Sequence, residues 1–332
     1  MKSYTAICFF LAVALILCPL VSVPKAKDTF SANVSGNTAE EEESYEIREE
    51  SETESTAENV NVLKASSGQV SEMPIREYLI DCVAAEIGGS AEEEAIKAQA
   101  IACHTLLLYK KAHKDSSLGD ADISDTSQKL LTAEEQKEKW GENYSAYREK
   151  IEKCVTEVEN KILCFDGEPI MATFFSISNG KTENAENVWG SAVPYLVSVD
   201  SPDDKLSPSY TSTVSVTAEE FKKVLTEKGA SPKGKEENRI GKSELNSTGT
   251  VNSIILCGKS FSGTDVRSMF SLNSATFTVK YEEEKFIFTV SGYGHGVGMS
   301  QYGANEMAKK GNTYDEILLH YYKNTVIGAV SQ

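Results

Sequence analysis

The sequence lacks an excess of basic residues. Its 332 residues include 33 Lys and Arg against 50 Asp and Glu, which gives a formal net charge of −17. A nucleic-acid-binding surface needs clustered positive charge to neutralise phosphates, so this balance excludes a nucleic-acid partner. The acidic residues are unevenly distributed along the chain: ten Glu and only one Arg lie between Glu40 and Glu58. The remainder of the chain is therefore only mildly acidic.

Clustered metal ligands are also missing. No two of the seven cysteines are spaced as Cys-x-x-Cys, and the four histidines never form His-Glu-x-x-His or a similar pattern. These absences argue against a zinc site and against a metal-dependent peptidase. Five cysteines lie outside the N-terminal apolar segment. We interpret them as scattered buried thiols, with a Cys154–Cys164 disulfide as the alternative.

Long apolar runs are rare, and the prominent one extends from Ala6 to Val23 with lysines on both sides. Its 18 residues lie at the lower limit of a membrane span and exceed the usual core of a signal peptide. We expect residues 1–27 to form an uncleaved membrane anchor, with a cleaved signal peptide as the alternative. Either one exports the rest of the chain, so we expect a single-pass protein of the cell membrane whose folded domain lies outside the cytoplasm.

Residues 28–70 contain few apolar side chains and many Glu, Ser, Thr and Asn. Such a composition cannot bury enough apolar surface to offset the loss of chain entropy on folding. We therefore expect an acidic disordered linker there, kept extended by its like charges. The folded domain is expected over residues 71–332.

The first helix is predicted to begin just after Pro74, since proline suits the first turn of a helix. Its apolar positions recur at helical spacing and are Ile75, Leu79, Cys82, Val83 and Ile87. Glu86 falls on this apolar stripe, whereas Glu77 and Asp81 face the other side. A carboxyl group in an apolar cleft has a raised pKa, which suits a general acid. Glu86 is therefore either a catalytic group or a helix-terminal residue with a buried hydrogen bond.

A second helix is predicted from the capping-box pattern at Ser90–Glu93 and should run to about His113. A face of small alanines indicates close packing against a neighbour. His104 lies in the middle of this helix. A single histidine at such a position is more often a hydrogen-bonded core residue than a catalytic group.

Strand-like segments come after the helices, beginning with a hairpin whose tight turn is predicted at Asp166-Gly167. Residues 178–204 are rich in turns, amides and aromatics, which fits either sugar binding or an ordinary surface loop. An accessory insert is expected at about 212–250. Close-set glycines around His295 allow positive φ angles or close approach of a ligand. The sequence predicts an α+β fold: a helical catalytic core with antiparallel strands and a small strand–helix accessory domain.

Three stretches together resemble the stage II sporulation protein D family, also called SpoIID/LytB. They are AAEIGGSAEEEAIKAQAIACHTLLL, FFSISNGKTENAENVWGSAVPYLVSVDSP and GYGHGVGMSQYGANEMAKKGNTYDEILLHYYKNTVI, in family order over about residues 73 to 328. The resemblance implies a lytic transglycosylase that cleaves peptidoglycan glycan strands already stripped of stem peptides. It also implies that Glu86 is the catalytic acid/base.

The family match further implies six polar residues around the glycan: Lys205, His104 and Lys181 first, then Ser176, His295 and Gln301. The chain departs from the family in two places. His104 stands where the family usually has an arginine after two small residues. Residues 118–130, where some relatives have a zinc-binding His/Cys cluster, contain neither residue. We therefore predict no metal and no cofactor.

A lytic transglycosylase can act with one carboxylate because the C6 hydroxyl of muramic acid is the internal nucleophile. Ordinary glycosidases need two. The resemblance implies sporulation, septal thinning and engulfment as the setting, with peptidoglycan and a partner amidase as partners. The alternative function is that of a non-catalytic wall-binding protein that recruits or stimulates an amidase.

Overall fold

The computed structural model describes residues 58–330. Within this range there are nine α-helices: α1 (Ile75–Glu86), α2 (Glu93–Ala112), α3 (Ala133–Trp140), α4 (Tyr144–Val158), α5 (Ala185–Trp189), α6 (Ala218–Glu227), α7 (Gly263–Met269), α8 (Gln301–Lys309) and α9 (Tyr314–Tyr321). The first strands are β1 (Asn59–Lys64), β2 (Gln69–Pro74), β3 (Ile123–Ser124), β4 (Lys161–Phe165), β5 (Glu168–Pro169), β6 (Phe174–Phe175) and β7 (Thr211–Thr217). The later strands are β8 (Ile240–Leu245), β9 (Val251–Leu256), β10 (Lys259–Ser262), β11 (Phe277–Glu282), β12 (Lys285–Ser291), β13 (Met299–Ser300) and β14 (Val326–Ala329). The predicted α+β fold is confirmed.

The larger hydrophobic core surrounds α2, whose buried residues run without a break from Ala98 to Leu107. Helices α1, α4, α8 and α9 pack against it. The alanines allow these neighbours to approach closely, as the small-residue face predicted. The five cysteines of the described part are free thiols, four of them buried, so the Cys154–Cys164 disulfide is not formed.

The first hairpin corrects the predicted extent of the linker. Strands β1 and β2 pair in antiparallel register between Asn59 and Pro74. Val60 and Val62 alternate inward and are buried in the larger core. This short alternation is a strand signal that the polar composition of the surrounding segment obscured. The folded part thus includes residues 58–70. The rest of the expected linker, the anchor and residues 331–332 lie outside the described residues.

The predicted β4–β5 hairpin is confirmed. Cys164 pairs with Pro169 and Phe165 with Glu168. Asp166 and Gly167 both have positive φ angles, 50° and 86°, which are typical of a two-residue turn matched to the strand twist.

A second, separate hydrophobic core is built from residues between Val216 and Val290 and is centred on stacked phenylalanines. Its main sheet has the order β11–β12–β7, and β7 pairs along its full length with β12. The accessory unit therefore extends to Ser291, beyond the insert expected at 212–250. The expected boundary rests on a local strand–helix pattern, whereas β7 finds its partner about 70 residues later.

Helix α1 ends at Glu86 because of the two glycines that come next. Gly88 has a φ of 75° and its N–H donates to the carbonyl of Val83 (3.0 Å), which closes the last turn. Gly89 lies against Tyr147, where a Cβ would come within 2.2 Å of the tyrosine Cβ. The predicted capping box at Ser90–Glu93 is wrong: α2 begins at Glu93 after Glu92, without a side-chain cap.

No helix between residues 58 and 330 combines the length and apolarity that a membrane crossing requires. The apolar run from Ala6 to Val23 lies outside this range, so the anchor stays a prediction.

Candidate active site

Glu86 is the last residue of α1, and its half-buried carboxylate accepts two hydrogen bonds. Gln301 Nε2 donates to Oε2 at 3.1 Å. The backbone N–H of Lys129 donates to Oε1 over a longer 3.4 Å. Helical periodicity placed Glu86 on the apolar side of α1, and the structure confirms that it is partly withdrawn from water.

Burial raises the pKa of Glu86 above its ordinary value. The hydrogen bond from Gln301, the N–H of Lys129 and the charges of Lys129 and Lys139 oppose this shift but do not cancel it. None of these main influences on the pKa is a second carboxylate. Glu86 is thus more readily protonated than a glutamate in water.

Gln301 is positioned by the start of α8. Ser300 caps this helix: its Oγ accepts the N–H of Gly303 at 3.2 Å and donates to Asp204 Oδ1 at 2.8 Å. Asp204 is fully buried and also accepts the N–H of Ser178. Strand β13 immediately before the helix pairs in parallel with β6. Gln301 therefore points at Glu86 from a fixed backbone.

Gln99 completes the polar contacts around this carboxylate. It is fully buried on α2, and its Oε1 accepts from Gln301 Nε2 at 3.4 Å. Its own amide nitrogen donates to Cys103 Sγ at 3.3 Å. Gln99 is not among the residues predicted at the site, although a glutamine flanked by alanines in an apolar helix is a usable signal for a buried polar contact.

The glycine loop that contains His295 packs on residues 174–183. Gly292, Gly294, Gly296 and Gly298 all have positive φ angles, as their spacing predicted. His295 is half-buried, its Nδ1 accepts the N–H of Val297 at 3.1 Å, and its ring packs against Phe175 and Trp189. Burial, followed by the nearby charge of Arg267, lowers the pKa of His295 to about 4. The ring is therefore neutral at physiological pH.

Lys181 and Lys205 are brought together, since both line one surface depression with Tyr210 and Thr248. Lys181 is exposed and forms a 3.2 Å ion pair with Asp200. Lys205 lies against Gly180. Within the described residues, neither lysine makes a hydrogen bond to Glu86.

Ser176 lies between β6 and the bridge that Ile177 forms with Tyr293. Its carbonyl accepts the N–H of Tyr302 at 3.0 Å. Its backbone therefore helps to hold the start of α8, next to Gln301.

His104 is placed elsewhere. It is buried on α2, and burial lowers its pKa to about 4, with Glu58, Glu159 and Lys111 as the other influences. Its Nδ1 has no hydrogen-bond partner within the described part of the chain. None of these neighbours contacts Glu86, so a role of His104 at the glycan stays a prediction.

Glu183 is a buried carboxylate outside the set of residues predicted around the glycan. It accepts from Asn187 and Asn246 at 2.8 and 2.9 Å, from the N–H of Asn184, and from the hydroxyls of Thr248 and Thr250. Since Asn246 and the two threonines lie between accessory strands β8 and β9, Glu183 joins the two parts of the fold. Its hydrogen bonds hold the carboxylate in place between the two parts of the fold.

Chemically, the arrangement offers one acid/base group with a raised pKa and amides that orient it. No three His, Cys, Asp or Glu side chains converge to form a metal-binding group anywhere in the range that the structure describes. The expectation of a metal-free site stays a prediction.

Comparisons with known proteins show which family the chain is similar to. Residues 64–165 match the family model described as SpoIID, stage II sporulation protein. The chain is 40% identical over 275 residues to stage II sporulation protein D of Bacillus subtilis, covering 81% of this chain and 78% of the relative. The Bacillus amyloliquefaciens protein of the same name is 38% identical, with coverage of 81% and 78%. A Bacillus subtilis protein named amidase enhancer is 26% identical over 73% of this chain and 39% of its own length.

Proposed function

The chain belongs to the stage II sporulation protein D family, and we propose that it is a peptidoglycan lytic transglycosylase. In this proposal it cleaves glycan strands that lack stem peptides and leaves 1,6-anhydromuramic ends. The setting is septal thinning and engulfment during sporulation. The observation that carries the proposal is Glu86, a half-buried carboxylate with a raised pKa and an amide donor from Gln301.

The mechanism needs only this one carboxylate. Protonated Glu86 donates its proton to the glycosidic oxygen as that bond breaks and the leaving sugar becomes an alcohol. The resulting carboxylate then accepts the proton of the muramic acid C6 hydroxyl, whose oxygen forms the new bond to C1. The proton count closes, and no water is consumed. Because the nucleophile belongs to the same sugar, its proximity replaces the second carboxylate of an ordinary glycosidase.

Gln301 suits both steps of this cycle. Its amide donates to the ionised form of Glu86 and so limits how far the pKa rises. It also fixes the carboxylate in one direction, since Gln301 is itself held by the capped start of α8. A group that acts first as an acid and then as a base needs a pKa near the working pH. Both its protonated and its ionised form are then accessible.

Product analysis tests the activity. Full-length protein in detergent would be incubated with peptide-free and with peptide-bearing glycan strands, and the products analysed by mass. Anhydro-ended fragments from the peptide-free strands are the expected result. Hydrolysed reducing ends, heavier by one water, would refute the transglycosylase mechanism.

The amidase enhancer relative supports a second candidate, a wall-binding protein that stimulates an amidase. Under this alternative the protein alone releases no fragments, and only an added amidase becomes faster. In the favoured proposal a partner amidase instead removes stem peptides first and supplies the substrate.

Localisation is proposed from the sequence. The apolar run from Ala6 to Val23 would hold the protein in the cell membrane, with residues 58–330 on the outer side facing the wall.

A further inference from the structure

Two aromatic side chains are strongly exposed among residues 58–330: Trp189 at 43% and Tyr293 at 47%. The centroid of the Trp189 ring lies 5.7 Å from that of His295, and the centroid of the Phe175 ring lies 5.6 Å from it, with the rings tilted by 48° and 55°. We call Trp189, His295 and Phe175 the aromatic platform. A ligand that covers the exposed indole would gain about 25 cal/mol for each Å² of apolar surface removed from water.

The platform is held in place by its backbone. Trp189 is the last residue of α5, and Gly190 ends this helix with a φ of 80° and an N–H bond to the Glu186 carbonyl (3.0 Å). His295 accepts the N–H of Val297 through Nδ1, so its remaining proton is on Nε2. The ring is uncharged, and its one N–H is directed at the backbone of Phe174.

Polar groups surround the platform. The cavity beside His295 is lined by the amides of Asn187 and Asn246 and by Lys181. Asn187 and Asn246 each donate an amide N–H to Glu183. The exposed Asn187 retains its second N–H and its carbonyl oxygen for a hydroxyl or N-acetyl group of a ligand. The exposed indole of Trp189 is an apolar face close to hydrogen-bonding groups, a combination that suits the face of a sugar ring with its equatorial substituents.

The platform and the carboxylate site share one structural element. Phe175 in β6 pairs with Ser300 in β13, and Gln301, which donates to Glu86, is the next residue. The β6–β13 pair therefore links the backbone of the platform to that of the carboxylate site.

From this placement we propose that the aromatic platform is a subsite for an N-acetylated sugar of the glycan strand, with Trp189 stacking on the ring. The inference rests on the proposed function in its choice of ligand, a peptidoglycan glycan. It assigns Trp189 a positioning role rather than a catalytic one.

The two tryptophans of the chain make a direct test available. Both variants are made in full-length protein carrying Glu86→Gln. Trp140→Phe leaves Trp189 as the single tryptophan, and Trp189→Phe leaves Trp140 as the single tryptophan. Peptide-free glycan strands and an N-acetylglucosamine tetramer are the probes. The expected result is a saturable fluorescence change in the protein that keeps Trp189 and none in the protein that keeps Trp140.

Affinity and kinetics complete the experiment. Trp189→Ala should weaken glycan binding on the order of tenfold, since about 60 Å² of stacked surface corresponds to one factor of ten. Trp189→Phe should restore most of it. In the otherwise native enzyme, Trp189→Ala should raise KM and leave kcat nearly unchanged. Ile255→Ala, which removes a 40% exposed side chain in β9 of the accessory unit, is the matched control and should change neither.

The outcomes separate this inference from the proposed function. Glycan cleavage by the native enzyme together with unchanged binding and KM in a folded Trp189→Ala protein overturns the platform and leaves the function standing. Saturable Trp189 signals in the Glu86→Gln protein, together with no glycan cleavage by the native protein, support the platform and overturn the transglycosylase.

Discussion

Gln301 Nε2 lies 3.1 Å from Glu86 Oε2 and joins two residues that are 215 positions apart. This contact connects the end of α1 to the beginning of α8. It stabilises the ionised carboxylate against the effect of burial, which raises the pKa. Replacement of Gln301 is therefore expected to change a pH profile as well as a rate.

Gln301→Met keeps the bulk of the side chain and removes its donor. Because the lost hydrogen bond favoured the ionised form, the pKa of Glu86 should rise further, and the alkaline limb of kcat/KM should move to higher pH. A pH–rate profile measures this directly. Gln69→Met, on the exposed start of β2, is the control that should leave the profile in place. A shift to lower pH would contradict the assigned direction of the hydrogen bond.

Ser300→Ala removes the cap of α8 and the hydroxyl donor to Asp204. The loss should lower the free energy of unfolding by about 1–2 kcal/mol and also reduce cleavage, because Gln301 is the next residue. Ser262→Ala is the matched control: this serine caps α7 in the accessory unit. It should lower stability comparably but leave turnover at saturating glycan unchanged. Equal activity losses in the two proteins would show that the effect of Ser300 is merely one of stability.

Much of the fold could be predicted because its signals are local. Helical spacing placed Glu86 correctly, and Asp166-Gly167 identified a turn from two residues. Contacts between distant segments carried no such signal. Gln301 meets Gln99, and Ser300 meets Asp204, through the packing of separate segments. No periodicity of one segment reveals which polar residue of another will face it.

The same reason explains the two corrected boundaries. Strand β1 is short and embedded in polar sequence, so its alternation is weak as a signal and its burial against the larger core distinguishes it from the linker. Strand β7 pairs with β12 across the whole accessory unit. Its local neighbour α6 suggested a small insert, whereas the pairing partner sets the true end.

The N-terminal run gives a prediction independent of the site. Full-length protein should sediment with membranes and be released by detergent but not by high salt, because a span of 18 apolar residues is held by the hydrocarbon core. A protein starting at residue 28 should remain in the supernatant. Recovery of full-length protein in the soluble fraction at a shortened mass would replace the anchor with a cleaved signal peptide.

Glu86 should also reduce stability at neutral pH. Its pKa in the folded protein is raised, so the ionised form is less favourable there than in the unfolded chain. The free energy of unfolding is therefore unreduced by Glu86 below the ordinary glutamate pKa. It falls as the pH rises through the raised pKa of the folded protein. Glu86→Gln should accordingly melt at a higher temperature than the native protein at pH 7, and the difference should shrink at acid pH. An unchanged or lower melting temperature at pH 7 would show that burial is not the dominant influence.

The catalytic role of Glu86 is tested most directly by the rate of anhydro-product formation in Glu86→Gln. Gln preserves the shape of the side chain but cannot donate and recover a proton, so the rate should fall by roughly 10²–10⁴-fold while glycan binding is retained. Glu77→Gln is the control on the same helix. Its carboxylate is exposed and pairs with Arg148, so its loss should cost at most about 1 kcal/mol of stability and leave the rate nearly unchanged. Anhydro-product formation at the native rate by Glu86→Gln would contradict the account.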